Sequence, residues 1–298
     1  MNTIMSNNYS IVTFAYNEEK SIAATIKSII SNTDQRLQQI TIVANGCTDR
    51  TYEVALATLQ EFASCQYVVK NLAFGDKCNA WNYYVHGLAP QSDVHFFVDS
   101  DVTFSAFAFP TLFDRLIASD KLAVTGLPLT GRNLAFYTEL ATKYSCLFGN
   151  LYGVKQEFLQ KLTAQNVKLP IGLSWIDAQL TKMINHNLEP AKDDYQGRVT
   201  FVPGVGYEFD SLKPWKRADV RLYINRIVRY KVGQLQEVYL DDLPFTEWPE
   251  DMQTINEKIL AKGLGWAELG KLILLKSRII QRLRKKRTVT NTYEEIIR

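Results

Sequence analysis

Apolar residues in the first third of the chain follow two alternating rhythms. Short runs with little polar interruption, SIVTFAY (10–16), ITIVA (40–44), QYVVKNL (66–72) and HFFVD (95–99), read as strands buried on both faces. Between them, apolar residues recur at helical spacing: Ile22, Ile26, Ile29 and Ile30, then Val54, Ala55, Leu59 and Phe62, then Ala80, Tyr84 and Leu88. LAVTGLPL (122–129) reads as a fifth strand. This alternation predicts a parallel α/β sheet with helices on both faces, and such sheets bind ligands outside the carboxyl ends of their strands.

Farther on, the pattern predicts mostly helix from Ala135 to Asn187, a strand in RVTFVPGVGYEF (198–209) and a helix from Pro214 to Gln236 carrying Arg217, Arg221, Arg226 and Arg229. The acidic, proline-containing EVYLDDLPFTEWPED (237–251) reads as a linker before a last helical region. The expected division is a catalytic domain over 1–235 and a linker with a helical extension over 236–298.

Composition narrows the class without changing this picture. With 298 residues, 46% hydrophobic and 22% charged, the chain has the balance of a globular protein rather than a disordered one. A net charge of +3 is too small to suggest nucleic acid as a partner. Cys47, Cys65, Cys78 and Cys146 are scattered without CxxC spacing, which fits reduced thiols better than a disulfide framework or zinc site. The opening MNTIMSNNYS lacks a basic region followed by an apolar one, and no window reaches about 18 uninterrupted apolar residues. A cytoplasmic location is expected, with any membrane met from its surface.

Candidate chemistry gathers where strands end. HFFVD runs into Ser100 and Asp101, and two carboxylates at period two in an extended chain point the same way. Such a pair raises a pKa unless something offsets it, and Mg²⁺ or Mn²⁺ shared with substrate phosphates does so. The bland alternative is a solvated turn. Ser100 is small enough to permit close approach. After the first strand stand Tyr16, Asn17, Glu18 and Glu19, which suit helix capping or ligand contact. After the second, Asn45-Gly46 signals a turn, and Thr48 or Asp49 suits a cap, while Asn45 and Asp49 can also hydrogen-bond a nucleobase or ribose. After the third comes Lys77, a solvated helix start or a diphosphate partner.

Taken jointly and in order, IVTFAYNEEKSIAATIKSI, IVANGCTDRTYEVA, GDKCNAWNYYV and FFVDSDVTF resemble the family 2 glycosyltransferases. GNLYGVKQEFL (149–159) is similar to the family's acceptor-side segment, and WIDAQLTKMI (175–184) to the motif supplying its catalytic base. The resemblance implies a GT-A type fold, a mainly parallel sheet flanked by helices, with a helical C-terminal extension. It implies inverting, metal-assisted transfer of a hexosyl unit from a nucleotide-diphosphate donor, UDP- or GDP-linked, in cell-surface glycan or glycolipid assembly. Tyr16, Asn17, Glu19, Asn45 and Asp49 would contact the nucleoside, and Lys77 the diphosphate. Asp99 and Ser100 would lie at the donor, Asp99 and Asp101 at the metal. Asp177 would be the base, with Trp175 on the acceptor side.

Departures from the family pattern sharpen the expectation. Asn45 stands where an acidic residue is usual, Cys47 where Ser is common, and Asp177 lacks an adjacent acid. The QxxRW motif of processive synthases is at best RIVRY (226–230), which favours addition of a single sugar. A nucleotidylyltransferase would want a glycine-rich loop after the first strand, which AYNEEKS lacks; a non-catalytic sugar-nucleotide binder of the same fold is the alternative. His86, His95 and His186 have no metal-ligand spacing and read as structural; Trp81, Trp215 and Trp248 read as packing residues. GKLILLKSRIIQRLRKKR (270–287) holds eight basic residues and no acidic one. On a helix, Leu272, Leu275, Ile279 and Leu283 form one stripe, beside Lys271, Arg278, Arg282 and Lys285. The pattern suits either docking on an anionic membrane, fitting a lipid-linked acceptor, or packing on the catalytic domain.

Overall fold

The computed structural model describes residues 7–131, 133–189, 197–210 and 213–285. In chain order the elements are β1 (Tyr9–Ala15), α1 (Ile22–Ser31), β2 (Leu37–Asn45), α2 (Thr51–Phe62), β3 (Gln66–Leu72), α3 (Lys77–Tyr83), β4 (Val94–Asp99), β5 (Val102–Phe104), α4 (Ala108–Ile117) and β6 (Ala123–Pro128). There follow α5 (Leu134–Tyr144), β7 (Leu151–Lys155), α6 (Gln156–Ala164), α7 (Ile176–Asn185), β8 (Val199–Phe209), α8 (Arg217–Leu240), α9 (Gln253–Lys262), α10 (Trp266–Leu269) and α11 (Lys276–Arg284).

The eight strands form one sheet in the order β3-β2-β1-β4-β7-β6-β8-β5. β3, β2, β1 and β4 are mutually parallel, as their uniform apolar runs predict. β7 runs antiparallel to both β4 and β6, β8 is parallel to β6, and β5 is antiparallel to β8. The chain steps outward from β1 to β3, then returns to lay β4 on the other side of β1. The strand order therefore reverses between β1 and β4, and a crevice opens at their carboxyl ends.

Alternate residues of each strand feed two cores. On one face Ile11, Ile40 and Phe96 meet Ile22 and Ile26 of α1 and Phe109 and Phe113 of α4, all fully buried. On the other, Phe97 stacks on Tyr152 with ring centroids 4.8 Å apart and planes 6° apart, and Trp81 lies behind at 5.9 Å. Each such aromatic contributes roughly 2–3 kcal/mol through removal from water. The Trp81 indole N–H donates to the Tyr152 hydroxyl at 3.0 Å, so the polar tip is satisfied. This second core continues through Leu180 and Met183 of α7 to Val228 and Val232 of α8, Ile255 and Ile259 of α9, and Ile279 and Leu283 of α11.

Three sequence expectations change, and of the two readings open for the basic tail the described part shows packing. β7 is a strand inside the stretch read as mostly helical, because its buried run is only five residues long, and β5 is a further short strand for which no element was expected. EVYL, the start of the supposed linker, is the last turn of α8; residue 235 lies inside that helix, and Gln236 beside it is fully buried. Trp215 is no packing residue, being 77% exposed. The apolar stripe of the basic tail is folded back: Ile279 and Leu283 are buried, and α11 packs on α8 and α9. The end of that tail, Lys286 and Arg287, lies outside the described residues. His95 is structural as read, its Nδ1 bonded to the Tyr84 hydroxyl at 2.9 Å and its Nε2 to Gln156 at 2.5 Å, and burial lowers its pKa to about 4. Among the described residues, no helix is long and apolar enough to cross a membrane.

Candidate active site

The loops after β1 and β2 brace each other. Asn17 takes a left-handed backbone (φ 56°), and its Oδ1 accepts from the Thr48 N–H at 2.8 Å. Asp49 accepts from the Glu19 N–H at 3.2 Å, while Glu19 accepts from the Arg50 N–H at 3.2 Å. Asp49 also accepts from the Thr51 N–H at 3.0 Å and the Thr51 hydroxyl, orienting the start of α2. Desolvation pulls the Asp49 carboxyl up, but these bonds outweigh it and hold the pKa below the ordinary value. Tyr16 is exposed at this rim, its ring edge beside Gly75.

A third loop is sewn to the second. Gly46 has φ 67°, and a Cβ there would strike the backbone of Gly75, so the two chains meet backbone to backbone. Asn45 is buried and accepts from the Asp76 N–H at 3.0 Å. Asp76 in turn caps α3, accepting from the N–H groups of Cys78 (2.9 Å) and Asn79 (3.3 Å), and its other oxygen accepts from the Gly172 N–H at 3.1 Å. One buried carboxylate thus fixes Lys77, the first residue of α3, relative to the loop before α7.

Lys77 Nζ lies 2.5 Å from Asp99 Oδ1 at the end of β4. The chain does not stay extended beyond Asp99; Ser100 and Asp101 form a turn into β5, so the period-two argument for the pair does not apply. The carboxylates interact nonetheless. Burial and then the charge of Asp99 push the Asp101 carboxyl up, with Lys77 and Arg226 pulling the other way. Glu18 joins them: burial raises its pKa, the Ser21 hydroxyl opposes, and Asp101, Asp49 and Asp99 add to the rise. Ser100 faces inward. Its buried hydroxyl donates to the Phe14 carbonyl at 3.4 Å, and its own carbonyl accepts from Thr25 at 3.0 Å, so the hydroxyl serves the fold and not the crevice.

Asp177 opens α7 on the other side of Asp99. The Asn150 carbonyl accepts from the Asp99 N–H at 3.1 Å, and a Cβ on the neighbouring Gly149 would lie 3.8 Å from that of Asp177. Burial raises the Asp177 carboxyl above the usual range; Arg229 and Lys77 counter this, and Asp99 adds to it. Trp175 is half-buried against α8, where Gly233 leaves no room for a Cβ, and its ring lies 6.1 Å from Tyr230. Gln236 fixes the same loop, accepting from the Ser174 N–H at 2.9 Å and donating to Asn256 of α9 at 2.9 Å.

Lys77, Asp99, Asp101 and Asp177 therefore share one electrostatic field, bordered by Tyr16, Asn17, Glu19 and Asp49. Asn45 and Ser100 support it from within the fold. The residues that sequence reading missed as site members are Arg226, Arg229 and Tyr230 of α8 and Tyr137 of α5. Burial raises the Tyr137 phenol, and Tyr230 and Asp177 act with it while Arg226 opposes. RIVRY was the available signal for three of them; its helical spacing points Arg226, Arg229 and Tyr230 toward neighbouring positions.

The profile described as Glycosyl transferase family 2 matches residues 10–172, more than half of the chain. No curated protein matches. Among solved structures, the fold is similar to a mannosyltransferase from Pyrobaculum calidifontis in complex with GDP-Man and Mn²⁺. That likeness has a TM-score of 0.59 at 14% identity and covers 93% of this chain and 72% of the other. It is also similar to glucosyl-3-phosphoglycerate synthase from Mycobacterium tuberculosis in complex with Mn²⁺, UDP and phosphoglyceric acid (TM-score 0.53, 19% identity, covering 82% and 80%). The chain has the mixed α/β fold of these glycosyltransferases and belongs to glycosyl transferase family 2.

Proposed function

We propose that the protein transfers a single hexosyl unit from a nucleoside-diphosphate donor to an acceptor hydroxyl, with inversion at the anomeric carbon. The observation that carries this reading is the position of Lys77, bonded to Asp99 on one side and acting on the Asp177 carboxylate on the other. A cation that serves both carboxylates sits where a leaving diphosphate and an acceptor must meet.

The residues divide the work. The braced rim of Tyr16, Asn17, Glu19 and Asp49 receives the nucleoside. Lys77 and Arg226 offset charge developing on the diphosphate. Asp177 accepts the proton of the attacking hydroxyl as the new bond forms at the anomeric carbon and the bond to the diphosphate breaks. Its raised pKa makes it a stronger base than a solvated aspartate. Trp175 shields the acceptor side from water.

Asp99 and Asp101 are the groups that would hold Mg²⁺ or Mn²⁺. Their hard oxygens suit these ions, and a divalent ion would offset both the burial and the Asp99 charge that raise Asp101. An ion held by one or two carboxylates would be completed by phosphate oxygens of the donor. When bound, the ion neutralises charge on the leaving diphosphate. The complexes of the two similar structures with Mn²⁺ and GDP-Man or UDP support both the ion and a UDP- or GDP-linked donor. The acceptor in this reading is a glycan or lipid-linked hydroxyl, met in the cytoplasm or at the inner face of a membrane during cell-surface assembly.

The test is thermal denaturation with UDP, GDP, CDP and dTDP, each with and without Mn²⁺. One nucleotide should raise the melting temperature only with metal, and Asp101→Ala should abolish the rise. No rise with any nucleotide would overturn the donor assignment. Donor binding without sugar transfer to any acceptor would leave the non-catalytic binder.

A further inference from the structure

α8 divides sharply into two halves. From Val228 to Leu240 it buries Val228, Val232, Gly233, Gln236 and Leu240 against the rest of the chain, whereas none of its first eleven residues, Arg217 to Ile227, is buried. By helical spacing, Leu222, Arg226 and Arg229 lie on the same side as Gly233 and Leu240, yet all three are exposed. Among the described residues, Ile224 is the one apolar side chain of this leading half that packs against the core, and the turn around Val220, Leu222 and Tyr223 stands exposed.

The composition of this end is unlike that of a solvated helix. Leu222 is 56% exposed and Tyr223 57%, with Val220 exposed beside them, and Trp215 stands just before the helix. Lys213, Lys216, Arg217 and Arg221 surround them, against the single carboxylate Asp219. None of these four cations takes part in the ion pairs among the described residues. An aromatic anchor, adjacent aliphatics and unpaired lysine and arginine are the chemistry of a helix lying in the headgroup region of an anionic bilayer.

We infer that the projecting end of α8 docks the protein on an anionic lipid surface. The basic C-terminal helix is not the docking element, because its apolar side is already buried against α8 and α9. Docking through α8 brings the surface to the acceptor side, since Arg226 and Arg229, one to two turns along the same helix, act on Asp101 and Asp177. Only that last point rests on the proposed function; lipid binding itself is independent of donor or turnover.

The test is co-sedimentation of the full chain with vesicles of phosphatidylcholine alone or mixed with phosphatidylglycerol, without nucleotide. The wild type should bind the mixed vesicles and be released by salt. Combined Lys216→Gln, Arg217→Gln and Arg221→Gln should weaken binding by about a hundredfold. Combined Lys271→Gln, Arg278→Gln and Lys285→Gln should weaken it far less. Brominated lipid should quench fluorescence in the wild type and do so less in Trp215→Phe, a direct reading of insertion that needs no charge variant. Failure of the wild type to bind mixed vesicles, loss of binding only in the C-terminal variant, or quenching unchanged in Trp215→Phe would each overturn the inference. A wild-type dimer that the α8 substitutions dissociate, with no vesicle binding, would assign the same face to a second copy of the chain.

Discussion

The two sides of the site are held by different means. On the donor side, three loops that follow β1, β2 and β3 are tied by short hydrogen bonds among themselves, from Asn17–Thr48 to Asn45–Asp76. On the proposed acceptor side, Ser174 and Trp175 are held by Gln236 and Gly233 of α8, with Gln236 anchored in turn to Asn256 of α9, all more than fifty positions later in the chain. The donor side is local in sequence and rigid through polar bracing. The acceptor side is long-range and rigid through packing, and only as far as the buried half of α8 extends.

Substitutions can break or sharpen this contrast. The largest effect is expected at Asp177→Asn, with turnover reduced on the order of 10²–10⁴-fold and the metal-dependent nucleotide shift intact, read by single-turnover kinetics beside thermal denaturation. Near-normal transfer would remove the base from Asp177. Next is Asp76→Ala, which strips the cap of α3 and the tether to Gly172 together. A loss of about 2–4 kcal/mol in urea unfolding is expected, with donor and acceptor sides weakened at once. Gly233→Ala reads the acceptor side alone. Alanine in place of a helix glycine ordinarily stabilises by up to about 1 kcal/mol, but here its Cβ meets Trp175, so a destabilisation of about 1–3 kcal/mol and slower turnover should appear with nucleotide binding kept.

His95 offers a pH test of the strand between the two sides. Its pKa is lowered to about 4 in the folded protein, so the neutral ring contributes stability above about 6.5. That contribution falls away as pH drops toward 4. The stability difference between wild type and His95→Gln should therefore shrink by up to about 3 kcal/mol between those pH values, measured by denaturant unfolding. The smallest effect is expected at Leu222→Ser, within about 0.5 kcal/mol of wild type, because no packing is lost at the projecting end of α8.

The same contrast explains what could be read from the sequence. β1 to β4 and the residues at their ends were legible because each signal, an apolar run followed by polar residues and a helical repeat, lies within about thirty positions. Lys77 and Asp99 could be nominated in this way. Arg226 and Arg229 could not be placed near Asp101 and Asp177, nor Tyr230 beside Trp175, from spacing alone, because the packing that puts them there spans distant parts of the chain. β7 was missed because a five-residue buried run resembles a helix segment. Asn45 and Ser100 were read for their polar atoms, but whether such atoms face a ligand or a neighbouring N–H or carbonyl depends on contacts no local pattern encodes.

The 24-residue α8 is a rod about 36 Å long, clamped along its second half and, Ile224 apart, held by no apolar packing among the described residues along the exposed first turns. In mechanical terms it is a cantilever. Any force applied at Trp215 or Leu222 is delivered at the clamp, with Arg226 just before its edge and Arg229 just inside it. Under the docking inferred above, attachment at the tip would load the stretch that carries Arg226, and the helix would report on the surface beneath it.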